Sequence, residues 1–143
     1  MESPLIDSVV KYFYLSCLNE QLSFTASLKV LGELRARNHL SPEFRSHWVQ
    51  TLKKWRPRLD SMTGRPWSEA LTEKGFIFPA DFDMTAWVSF INSAEASESE
   101  AVLLSHVLGF TDEEIAIGLG VTTGTVRHRV GHGLRRLGGF VES

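Results

Sequence analysis

The stretch TDEEIAIGLGVTTGTVRHRVGHGLRRL, residues 111–137, decides how the chain is read. It reads as two helices joined by a tight turn. Thr111 is a good N-cap, because its hydroxyl can accept a hydrogen bond from an orphan amide of the first helical turn. Glu114 completes a capping-box pattern, and with Asp112 and Glu113 it places negative charge at the positive end of the helix dipole. Ile115 and Leu119 share a face, and Ala116 is small where a second helix must cross closely. Gly120 follows, where a left-handed residue ends a helix without a Cβ clash. The next helix takes Thr122 or Thr123 as its cap and sets Val126, Val130, Leu134 and Leu137 along one apolar stripe.

The opposite face of that helix carries Thr125, Arg127, His128, Arg129, His132, Arg135 and Arg136, and residues 124–139 hold four Arg and no acid. A helix-turn-helix places its second helix in the major groove, with early side chains at base edges and flanking cations on phosphates. An ordinary amphipathic helix with a solvated basic face would carry the same charges. The small residue, turn glycine and β-branched residue fall in register together, which favours the helix-turn-helix. On this reading Thr123, Arg127 and His128 face bases. Thr122, Thr125, Arg129, His132 and Arg136 face phosphates.

The segment from residue 100 to 137 resembles region 4 of the bacterial sigma-70 family, most of all its extracytoplasmic-function (ECF) type. The carriers of the resemblance are the apolar run 102–110 ending in Gly-Phe, the Glu-Glu-Ile-Ala of 113–116 and the Gly-Thr-Val-Arg of 124–127. The response-regulator (LuxR-type) helix-turn-helix is close in pattern, and the Gly-Thr-Val opening and Gly-Leu-Arg-Arg-Leu ending favour the sigma reading. The resemblance implies an all-α domain that binds double-stranded promoter DNA at a −35-like element. It also implies contact with the β flap of core RNA polymerase, through the helix marked by Val102, Leu103, Val107 and Leu108. Whether an anti-sigma factor is a further partner stays open.

Around this segment the composition is that of an ordinary folded chain. Its 143 residues are 43% hydrophobic, enough for a real core, and its net charge is −2, so any nucleic-acid-binding charge is local. The single Cys17 sits among apolar residues and fits a reducing, cytoplasmic setting. The apolar run 9–18 contains Lys11 and is far too short to span a bilayer, and no basic start or cleavage site marks a signal peptide; no membrane association is expected.

Residues 4–59 read as three helices. The first presents Leu5, Val9, Tyr12, Phe13 and Leu18, and the second Leu22, Leu28, Leu31 and Leu34. Ser41-Pro42-Glu43 starts the third, which carries Trp48, Leu52 and Trp55 at helical spacing. Its Trp48, Lys53, Lys54, Trp55 and Arg56 form a candidate secondary nucleic-acid contact, since cations interleaved with aromatics can hold phosphates and stack bases. The alternative is a core helix with two anchoring Trp and a solvated basic face. The layout is similar to that of ECF factors, in which a helical region 2 precedes region 4. The acidic-glutamine signature of the polymerase-clamp helix is absent, however, and the N-terminal part is shorter than a usual region 2.

Three divisions follow: a helical N-terminal domain over 1–60, a connector over 61–82 and the region-4-like domain over 83–143. Gly64, Pro66, Gly75 and Pro79 punctuate the connector, although Trp67, Phe76 and Phe78 make it too apolar for a solvated linker. A short helix over 84–94 follows, then a Ser-rich acidic stretch in which Ser97 or Ser99 caps a helix over 100–108. Helices are expected near 4–19, 22–38, 42–58, 84–94, 99–108, 112–119 and 123–137.

Enzymatic chemistry and cofactors are not expected. His128 and His132 stand four apart, as metal ligands can, but no third ligand lies in sequence reach and cations flank His128, so no metal site is assigned. Asp81 and Asp83 read as turn caps rather than an acid–base pair. No phosphate loop or nucleophile elbow occurs. Three functional readings stand: a sigma-like factor that binds promoter and polymerase, a region-4-only DNA-binding regulator, and a module that binds polymerase or another regulator without DNA.

Overall fold

A first helix rich in buried aromatics anchors the fold. Helix α1 (Ser3–Cys17) buries Leu5, Val9, Tyr12, Phe13, Tyr14 and Leu15. In the computed structural model, residues 3–60 and 83–141 are described; the connector assigned to 61–82, including Asp81, lies outside them. The described residues form seven α-helices and no strand, so the fold is all-α. After α1 come α2 (Glu20–Ala36), a 3-10 turn (Pro42–Phe44) leading into α3 (Arg45–Asp60), α4 (Met84–Ser93), α5 (Ala96–Val102), α6 (Asp112–Leu119) and α7 (Thr123–Val141).

Helix α2 keeps Leu22, Leu31 and Leu34 against the core but departs from the leucine pattern at Leu28. Asn19 caps it, accepting the Leu22 amide at 2.9 Å, but its buried face is Ser23, Ala26, Ser27, Val30 and Leu34. Leu28 is 55% exposed, with Phe24 beside it on the outer face at 65%. Small residues win the inner face because they let α2 lie close against α1. Their hydroxyls bond backward to helix carbonyls, Ser27 to Ser23 at 2.6 Å and Ser23 to Glu20 at 3.1 Å, so burying them leaves no unpaired donor.

Helix α5 also differs from expectation. It begins at Ala96 rather than after Ser97 or Ser99, and it ends in a π-helical turn over Leu103–Val107, with the Leu108 amide bonded to the Leu103 carbonyl at 3.0 Å. Ser99 and Glu100 are buried. The π turn widens the helix locally, and four successive residues, Ala101 to Leu104, all face inward.

The N-terminal helices and the C-terminal helices share one core. Trp48 of α3 meets Phe110 edge-on at a ring separation of 6.5 Å, and the Trp87 indole of α4 donates to the Leu15 carbonyl at 3.0 Å. Helix α3 approaches α6 so closely that a Cβ on Gly118 would lie 2.5 Å from Val49 and 2.9 Å from the Ser46 carbonyl. A buried polar cluster ties the same parts. The Tyr12 hydroxyl donates to Glu100 at 2.7 Å, Arg56 stands 3.8 Å from that carboxylate, and Arg56 donates to Ser99 at 3.2 Å. Burial, then the neighbouring Glu100 charge, holds the Tyr12 hydroxyl well above its ordinary pKa, so it stays a donor.

Two stability outcomes follow. Gly118→Ala should cost about 1–3 kcal/mol in urea unfolding, because backbone and Val49 cannot both withdraw; an unchanged midpoint would show that α3 and α6 are not packed this tightly. Arg56→Met alone should cost about 3 kcal/mol or more by stranding Glu100. Arg56→Met with Glu100→Gln should recover much of that loss, since the amide oxygen still accepts from Tyr12. Equal losses in the single and double variants would rule out a charge-pairing origin.

Candidate nucleic-acid interface

The geometry of α6 and α7 is set by their caps. The Thr111 hydroxyl accepts the Glu114 amide at 3.1 Å, and the Glu114 carboxylate accepts the Thr111 amide at 2.9 Å, closing the capping box. Gly120 ends α6 with φ 73°, a left-handed conformation, and its amide returns to the Ala116 carbonyl at 2.9 Å. Of the two threonines offered as cap for α7, Thr122 takes the role, accepting the Thr125 amide at 3.1 Å. Ile115, Leu119 and Val126 are buried between the helices, and Val130, Leu134 and Leu137 pack partly against the core. A helix, a left-handed turn and a second helix crossing the first make a helix-turn-helix.

The polar face of α7 points outward. Thr122, Arg127, His128, His132 and Arg136 are exposed, while Thr123, Thr125 and Arg129 are half-buried. The face is less purely cationic than residues 124–139 imply, because acids arrive from other helices. Asp112 accepts Arg127 at 3.1 Å. Glu98, mostly buried in α5, stands 3.6 Å from Arg136 and 3.8 Å from the Nδ1 of His132. The His128 and His132 rings lie 4.3 Å apart, centre to centre. Among the described residues no group of three His, Cys, Asp or Glu is placed to hold a metal ion.

A second link was invisible in the sequence. Arg45, first residue of α3, donates to Glu114 at 3.0 Å and to the Gly109 carbonyl at 3.3 Å, with its guanidinium 4.5 Å from the Phe110 ring centre. The capping-box glutamate is therefore gripped from outside its own helix. Close to the same turn, Lys53 of α3 donates to the Leu119 carbonyl at 3.2 Å. An N-terminal helix thus braces both ends of α6.

The five residues singled out in α3 are not brought together as one face. Trp48 is 2% exposed and donates to the His39 carbonyl at 2.7 Å; Arg56 is 8% exposed and held in the cluster with Glu100. Burial takes these two off the surface. Lys54 and Trp55 both turn to Glu33, at 2.8 and 3.4 Å, while Lys53 lies near α6. Of the residues marking the flap-docking helix, Val102 and Leu103 are 1% exposed core residues, whereas Val107 and Leu108 are partly exposed beside exposed His106. Asp83 acts as the cap read for it, accepting the Ala86 amide at 3.0 Å.

These caps and this turn lie in a segment that one family model matches. Residues 95–137 match the family model for sigma-70, region 4. The helix-turn-helix segment is thus similar to sigma-70 region 4. No curated protein and no solved structure matches the chain. Among the described residues no helix is long and apolar enough to cross a membrane.

The doubled role of Glu114 can be separated. Glu114→Gln keeps an acceptor for the Thr111 amide and should cost little. Glu114→Ala removes the box and the Arg45 partner and should cost about 1–2 kcal/mol in thermal unfolding. Equal effects of the two would assign the whole contribution to the Arg45 charge.

Proposed function

We propose that the chain is a sigma-type transcription factor, in which α7 reads a −35-like element of promoter duplex and the region-4 segment contacts RNA polymerase at the β flap. The observation that carries the reading is the outward basic face of α7, held on a helix-turn-helix by caps on both helices. Arg127, at the first exposed turn of α7, supports base recognition, since its fork can bind a guanine edge at two points. Arg136, two turns on, supports a phosphate contact. Val107, Leu108 and His106 form the side of the π turn open to a polymerase partner. Such a factor works in the bacterial cytoplasm, as an ECF-like sigma would, and needs no enzyme chemistry.

A second reading, a region-4 DNA-binding regulator that does not replace sigma, gains support from the shared core. Helices α1 and α3 are occupied in bracing α5 and α6, through Tyr12, Arg56, Trp48 and Arg45. Purified protein added to core polymerase alone separates the two: transcripts started from a genomic library support the sigma reading, and none supports the regulator.

For DNA reading itself, Arg127→Ala should cost about 1–3 kcal/mol on the preferred site and flatten selectivity at one or two base pairs. Arg136→Ala should weaken all sequences alike and lower the salt slope by about one unit. If neither change affects DNA binding at low salt, α7 is not a DNA reader, and a protein-only role takes its place.

A further inference from the structure

Away from α7, the bend between α2 and α3 forms an open cleft of about 310 Å³. Glu33 and Arg37 line it from the end of α2, His39 from the bend, and His47, Gln50 and Lys54 from α3. The volume is at the lower end of the range that holds small-molecule ligands, about 300–1,000 Å³.

The wall is rich in donors. The guanidinium, the ammonium, both imidazoles and the carboxamide can all present N–H groups. Its one acid among these residues is already engaged: Glu33 takes Lys54 at 2.8 Å, the Trp55 indole at 3.4 Å and Arg37 at 3.7 Å. The hydrogen bond from Lys54 holds that carboxyl below the usual range, so it remains an anion neutralised by its neighbours. Aromatic rings at an angle to one another border the site. The His39 ring stacks on Phe44 at 4.5 Å and 26°, and the His47 ring centre lies 4.5 Å from that of His39.

The fold uses His39 through its backbone, whose amide donates to the Leu34 carbonyl at 2.8 Å and whose carbonyl accepts from Trp48. Neither bond needs an imidazole, and Arg37 and His47 are exposed at positions the core does not require. We propose that this cleft binds a small phosphorylated ligand with a planar ring, of the size of a nucleoside monophosphate. The phosphate takes Arg37 and the imidazole N–H groups, with Lys54 shared between it and Glu33, and the ring lies by the His39 and His47 rings. Charge-assisted bonds to a phosphate supply the affinity, and the ring of the exposed His47 offers an aromatic partner a surface to pack on. The proposal does not depend on DNA binding by α7.

The test is an NMR titration of the full chain with adenosine monophosphate, followed at the His39 and His47 rings and the Gln50 side chain. Saturable shifts at these three groups are expected, with adenosine weaker by about tenfold or more for want of the charged group. Arg37→Gln and His47→Asn, both at exposed positions, should each weaken adenosine monophosphate by about fivefold or more, with helical content unchanged. The proposal is overturned if the three groups do not shift saturably, or if shifts appear only along α7. It is equally overturned if adenosine binds as well as its monophosphate, or if both variants bind like the parent.

Discussion

A carboxylate at Glu100 is the constraint on which the rest of the structure turns. An ionised group this deeply buried must be paired and hydrogen-bonded, and its partners come from distant parts of the chain. Tyr12 supplies the donor from α1 and Arg56 the charge from α3. Satisfying one residue of α5 therefore fixes where two N-terminal helices lie. Once α3 is placed by Arg56, its earlier turns run along α6, where Gly118 makes room and Arg45 reaches the capping box. The polar cluster supplies direction, and the apolar contacts around Trp48, Phe110 and Trp87 supply most of the buried area.

Much of the helix-turn-helix was legible in the sequence because its signals are local. A threonine three residues before a glutamate, a glycine at a helix end and an apolar stripe at helical spacing each report on neighbours within one or two turns. The same locality explains what was missed. Residues 124–139 contain no acid, yet Asp112 and Glu98 stand against α7, because helix crossings bring charges together that no window of sequence contains. In α2, periodicity pointed to Leu28, whereas close packing against α1 selected the serines and alanine three or four residues apart. Leucine counts measure hydrophobicity; they do not measure how near two helix axes must come.

Helix α3 illustrates how composition misleads about a surface. Tryptophans interleaved with cations are compatible with base stacking and with core anchoring alike. Exposure separates them: the Trp48 indole lies inside against Phe110, and Arg56 spends its charge on Glu100. Four of the helix's polar or basic side chains, Arg45, Lys53, Lys54 and Arg56, end on partners from other helices or on buried groups. Part of the helix read as a nucleic-acid contact, Trp48 and Arg56, is thus spent on bracing two sets of helices.

The acids beside α7 give that helix internal counterions. A duplex sheds condensed cations as arginines neutralise its phosphates, and the entropy of that release makes affinity fall steeply with salt. On the proposed reading, a phosphate or base edge arriving at Arg127 or Arg136 must displace the tethered carboxylate of Asp112 or Glu98, which cannot diffuse away. Each such exchange trades a carboxylate pair for a phosphate or base contact, so the net gain is smaller than a free arginine would give. Under that reading, a helix built this way grips duplex less strongly than its arginine count implies, at the base-reading Arg127 and the phosphate-binding Arg136 alike.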